Sequence, residues 1–100
     1  MVYKEVLPVL QGWRERRRLV RIQRRGHDYD GIVTEVSGDT GRLELSTAPP
    51  GGGKKTLVFE FGGADDFQII PEPEVGKDWD EGFMVYLQAG DWLTLRKWKT

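Results

Sequence analysis

The chain has 100 residues, with fifteen Lys and Arg against sixteen Asp and Glu, 38% hydrophobic residues and no cysteine. That length supports one domain with one modest core, the apolar fraction is too high for a disordered chain, and no apolar run approaches the ~18 residues of a membrane span. The missing cysteines exclude disulfides, thiol catalysis and thiolate metal sites, and a start without the ordered regions of a secretory signal sets the expectation of a cytoplasmic setting.

Residues 2–6 read as a strand or an extra helical turn. From Pro8 the positions Val9, Leu10, Trp13 and Arg16/Arg17 follow a helical period, which predicts a short helix over 8–17 with Pro8 as its first residue. Leu19 to Arg24 alternates, with Val20 and Ile22 on one face and Arg21 and Gln23 on the other, as in a half-buried strand. Gly26, His27 and Asp28 break it, and Tyr29 to Val36 supplies a second strand closed by the turn residues Ser37 to Gly41. Arg42 to Thr47 is a third strand. Two prolines and three glycines between Ala48 and Lys54 predict a surface loop. Thr56 to Phe61 is a fourth strand facing the core with Leu57, Phe59 and Phe61, and Phe67 to Ile70 is a fifth, stopped by Pro71. The acidic segment Glu72 to Glu81 reads as a surface connection, and Phe83–Leu87 with Trp92–Lys97 as a final hairpin. Seven short strands and one helix in 100 residues predict a mainly β domain, a small antiparallel barrel.

Balanced total charge argues against a surface built wholly for polyanions, yet the charge is segregated. Residues 1–25 carry eight basic and two acidic side chains, seven of the basic ones being arginines from Arg14 to Arg25, while residues 60–91 carry nine acids and only Lys77. Guanidinium forks bind phosphates, which makes Arg14, Arg17, Arg18, Arg21, Arg24 and Arg25 candidate contacts for nucleic acid or another anion. The competing reading is ion pairing with the acidic half, within the chain or between copies. Lys54 and Lys55 follow Gly51-Gly52-Gly53 in an arrangement that mimics a phosphate loop. The mimicry fails: Ala48 stands where the first glycine belongs, Lys55 where the metal-binding hydroxyl belongs, and a strand follows instead of a helix. Lys54 and Lys55 remain candidate anion contacts only.

His27 beside Asp28 and Asp30 is the one combination resembling an acid–base or metal group, but alternation puts the two acids on one face and His27 on the other. Ser37 and Ser46 lack the neighbourhood of a catalytic nucleophile, and the acids between Asp65 and Glu81 lack calcium-loop spacing. The chemistry therefore points to no enzyme, no metal and no cofactor. Among the aromatic residues, most of Phe59, Phe61, Phe67, Phe83 and Trp92 are expected in the core, whereas Trp79 in the acidic segment and Trp98 in the tail are candidates for an interface.

A short helix followed by five bent strands resembles the Sm-like plan within the SH3-like barrels, with residues 8–71 laid on it. Leu19 to Gly31 looks like a first strand bending into Tyr29-Asp30-Gly31, Phe61 to Phe67 like the tight turn before the last strand, and Phe67 to Pro71 like that strand. Bacterial Rho-inhibitor proteins are similar in size and element order. The RNA signature of Sm members is missing, and the C-terminal hairpin is additional. The resemblance implies exposed fourth and fifth strands, an association hazard unless the hairpin or a second copy covers them. The expected function is a non-enzymatic binding or assembly module that self-associates or takes a protein partner, away from membranes. The alternative is nucleic-acid binding through the arginine patch.

Overall fold

A computed structural model describes residues 1–38, 41–47, 53–71 and 76–99. Residues 48–52 of the expected loop and 72–75 of the acidic connection lie outside the described residues. The helix, α1 (Tyr3–Glu15), starts five residues before the expected Pro8 and carries Pro8 inside. Its apolar spacing decides this: Tyr3, Val6, Leu10 and Trp13 form one buried stripe, while Pro8 sits on the exposed side, where the carbonyl it leaves unpaired can meet water. Glu5 Oε1 accepts the Val2 amide at 2.9 Å at the helix start. At the other end, Arg17 takes φ +51° and the amides of Arg17 and Arg18 donate to the carbonyls of Arg14 and Trp13, a Schellman closure with arginine in the place that favours glycine.

Strand β1 (Leu19–Arg24) turns into β2 (His27–Val36) through Arg25 and Gly26, both at positive φ. This two-residue turn matches the twist of the strands, so pairing resumes at Arg24–His27 and the expected break at His27 and Asp28 does not occur. Gly31 marks the place where β2 presses on β3 (Arg42–Thr47): a Cβ there would collide with the Ser46 carbonyl oxygen. β4 (Lys55–Glu60) and β5 (Asp66–Ile69) fall within a residue of expectation. β6 (Trp79–Tyr86) begins four residues before Phe83, because Trp79 and Glu81 pair with Trp98 and Lys97 of β7 (Trp92–Trp98) across a bulge at Asp80.

The protein is mainly β, and the seven strands form one antiparallel sheet in the order β4-β3-β2-β1-β7-β6-β5. It is not closed into the expected barrel, since β4 and β5 end the order without pairing. The C-terminal hairpin is no appendage either. β7 pairs with β1 and β6 with β5, so the hairpin joins the two halves of the sheet. Strands lie ~4.8 Å apart, so a flat sheet would hold β2 and β5 about 19 Å from each other, yet α1, ~10 Å wide, packs on both. The sheet therefore curls around the helix. The core lies between them and joins the stripe of α1 to Val20, Ile22, Val33, Leu43, Leu45, Phe67, Phe83, Val85, Leu93 and Leu95.

Candidate binding surfaces

Alternation sends the polar residues of the central strands to the outer face, where register brings them together. Arg21 of β1 stands opposite Asp30 of β2 and Arg96 of β7. Its guanidinium donates to both Asp30 oxygens at 2.6 and 2.9 Å, lies 3.6 Å from Asp28, and covers the Trp79 and Trp98 rings at 5.3 and 5.2 Å. The Asp30 hydrogen bond raises the Arg21 pKa. Trp79 and Trp98 stack with centroids 4.1 Å apart, and both are half-buried, so these two expected interface residues spend much of their surface on each other and on Arg21. Arg24 and Arg25 share Asp91, at 2.7 and 3.0 Å from its Oδ2. The Arg24 hydrogen bond, helped by the Trp92 amide, holds the Asp91 carboxyl below its ordinary range.

Trp92 is corrected: expected in the core, it is 52% exposed, beside its cross-strand neighbour Tyr86 at 47%. The two-residue period could have placed it, because Trp92, Thr94, Arg96 and Trp98 share one face of β7 and Leu93 and Leu95 the other. Next to Trp92, a groove of about 490 Å³ is lined by Gln23, Arg24, Arg25, Met84 and Arg96.

A second basic region surrounds the end of α1. Arg14 Nε donates to the Thr34 carbonyl at 3.2 Å, and Arg14, Arg17 and Lys54 line a cleft of about 580 Å³ with Glu15, Ile32, Val33, Thr34 and Ser46. None of these three cations has an ion pair among the described residues. Arg18 turns away and donates through Nη2 to the Trp98 carbonyl at 2.8 Å. Lys55, exposed at the start of β4, does not line the cleft. The buried Lys97 ammonium was not legible as anything but tail charge. It meets Asp80 at 2.8 Å and Glu81 at 3.6 Å, while Glu81 also accepts the Trp13 indole N–H.

The third surface is a strand edge. The amide of Phe61 donates to the Gly41 carbonyl, and in this register Leu57, Phe59 and Phe61 are the residues whose backbone groups bond to β3 and its approach. Thr56, Val58 and Glu60 therefore point their N–H and C=O groups outward, and none of them meets a backbone partner among the described residues. β5 is different. β6 pairs with one of its edges, and on the other Phe67 exchanges two hydrogen bonds with Met1, at 2.7 and 2.9 Å.

Among the described residues no three His, Asp or Glu side chains gather as a metal site, and no helix is long and apolar enough to cross a membrane. Compared with family models, curated proteins and solved structures, the chain matches none.

Proposed function

We propose that this domain is a non-catalytic binding and assembly module that associates with a second copy of itself through the open edge of β4. The observation that carries the reading is the row of outward backbone groups at Thr56, Val58 and Glu60, six hydrogen-bonding groups on a strand bordered by exposed Val58. The edge is self-complementary. Antiparallel pairing about a two-fold axis at Val58 sets Val58 against its own copy on the outer face, Leu57 against Phe59 twice on the inner face, and Thr56 against Glu60 at each end. A shift of two residues toward Lys55 would instead oppose Lys55 to Phe59, which this register avoids. The resemblance to the Sm-like plan, with its exposed fourth strand, points the same way. Nucleic-acid binding by the whole arginine run has less support, because Arg21, Arg24 and Arg25 already face carboxylates.

Val58→Pro tests the proposal, since it deletes an outward N–H that no β3 bond uses and prolines are tolerated on edge strands. Light scattering across a concentration series is expected to show the wild type growing from 11.5 kDa toward twice that mass, and Val58→Pro remaining at 11.5 kDa with an unchanged circular dichroism spectrum. A wild type that stays at 11.5 kDa at every concentration overturns the reading.

A further inference from the structure

Independently of assembly, we propose that the cleft at the end of α1 binds a phosphate group, free or carried as a monoester on a small molecule, through Arg14, Arg17 and Lys54. Three cations reach it from three places in the chain: the last turn of α1, the residue that closes the helix, and the approach to β4. In the groove beside Trp92, by contrast, Arg24 and Arg25 both meet the Asp91 carboxylate. Here, among the described residues, the one acid in the lining is Glu15, and it has no ion pair with them.

Two features oppose simple solvation of these charges. Arg14 is tied through Nε to the Thr34 carbonyl, which directs its terminal nitrogens without neutralising them. Arg17 occupies a left-handed backbone position that glycine would fill with less strain, and such positions concentrate where a side chain serves a site. The negative end of the helix does not dominate the cleft, because the carbonyls of Gly12, Trp13 and Arg14 all accept hydrogen bonds from Arg16, Arg18 and Arg17. Ser46 adds a hydroxyl, and Ile32 and Val33 add an apolar wall, while the Thr34 hydroxyl donates to the Glu44 carbonyl at 3.4 Å. A concavity of about 580 Å³ with convergent polar groups and an apolar wall has the size of a small-ligand pocket, whereas a polymer would need a basic track continuing beyond it. Exposure of the cations makes the affinity modest and salt-dependent.

The experiment is an amide NMR titration of the full chain at low salt with inorganic phosphate, phenyl phosphate, phenol and a short single-stranded oligouridylate. Saturable shifts confined to residues 14–17, 32–34, 46 and 54 are expected with both phosphates and not with phenol. Tighter binding of phenyl phosphate would assign the phosphate to a small organic ligand, and equal affinities to free phosphate. Lys54→Gln and Arg17→Gly, the latter suited to the same backbone, should each weaken binding about tenfold, the loss of one charge-assisted contact, with other resonances unmoved. Absence of saturation with either phosphate, shifts centred on Arg24, Arg25 and Arg96, unchanged affinity in both variants, or saturation by the oligonucleotide alone would each overturn the proposal.

Discussion

Arg21, Arg24 and Arg25 belong to the same run of sequence as Arg14, Arg16 and Arg17, but the fold makes two kinds of surface from them. The first three stand on a sheet, where a partner strand delivers a carboxylate at fixed register: Asp30 opposite Arg21, and Asp91 from the β6–β7 turn against Arg24 and Arg25. The second three cluster at the end of α1, where Arg14 donates to the Thr34 carbonyl and none of them has an ion pair among the described residues. A basic run is thus one feature of composition and two of chemistry. Only the helix-end half keeps charge available for a ligand.

Removing one arginine from each half is the sharpest way to break the comparison. Arg21→Met deletes a bidentate ion pair and a cation laid over two indole rings, with a guanidinium that is itself mostly covered, so urea unfolding should show a loss of about 1–2 kcal/mol. Arg16→Met, at an exposed position with no ion pair among the described residues, should stay within about 0.5 kcal/mol. Equal effects would mean that the pairing on the sheet contributes nothing.

A smaller effect of opposite sign is expected at Arg17. Replacing it with glycine relieves the left-handed backbone and should raise stability by about 0.5–1 kcal/mol in the same assay, while removing a charge from the cleft. A destabilised Arg17→Gly would show that its side chain is held by contacts the helix closure needs.

The last expectation concerns acid. Asp91 is held below its ordinary range by Arg24, Asp80 by the Lys97 ammonium, and Asp66 by the Met1 ammonium. A carboxyl with a folded-state value below its unfolded one contributes stability that is present above about pH 4 and is lost as pH falls through the depressed value. Glu44 acts in the other direction. Its hydrogen bond with neighbouring Glu35 raises its pKa, so its contribution is present at low pH and is lost as pH rises through the raised value. The three depressed carboxyls should make the denaturation midpoint fall below about pH 4. Asp91→Asn should flatten that fall, and an unchanged acid limb would sever the link between the Arg24–Asp91 pair and stability.

Much of this architecture was readable along the chain because strands announce themselves by alternation. Val20 and Ile22 against Arg21 and Gln23 define the two faces of β1, and the same period sets Leu57 and Phe59 of β4, and Phe61 just beyond it, inward. Periodicity states which way a side chain points, but not how many residues an element runs or what stands opposite. Pro8 therefore suggested a helix start, whereas the stripe from Tyr3 to Trp13 against the curled sheet had enough buried area to carry the helix across it.

Local sequence by itself determined the mainly β class, the strand-rich order, the inward faces and the concentration of arginine between residues 14 and 25. Tertiary structure decided that the C-terminal hairpin lies between β1 and β5, that the sheet stays open with β4 at one edge, and that Trp92 looks outward while Trp79 and Trp98 stack. It also decided which arginines find a carboxylate. Pairing between strands and between charges depends on residues far apart in the chain, such as Arg24 and Asp91, and the free energy of such contacts exists only once the backbone has brought them together.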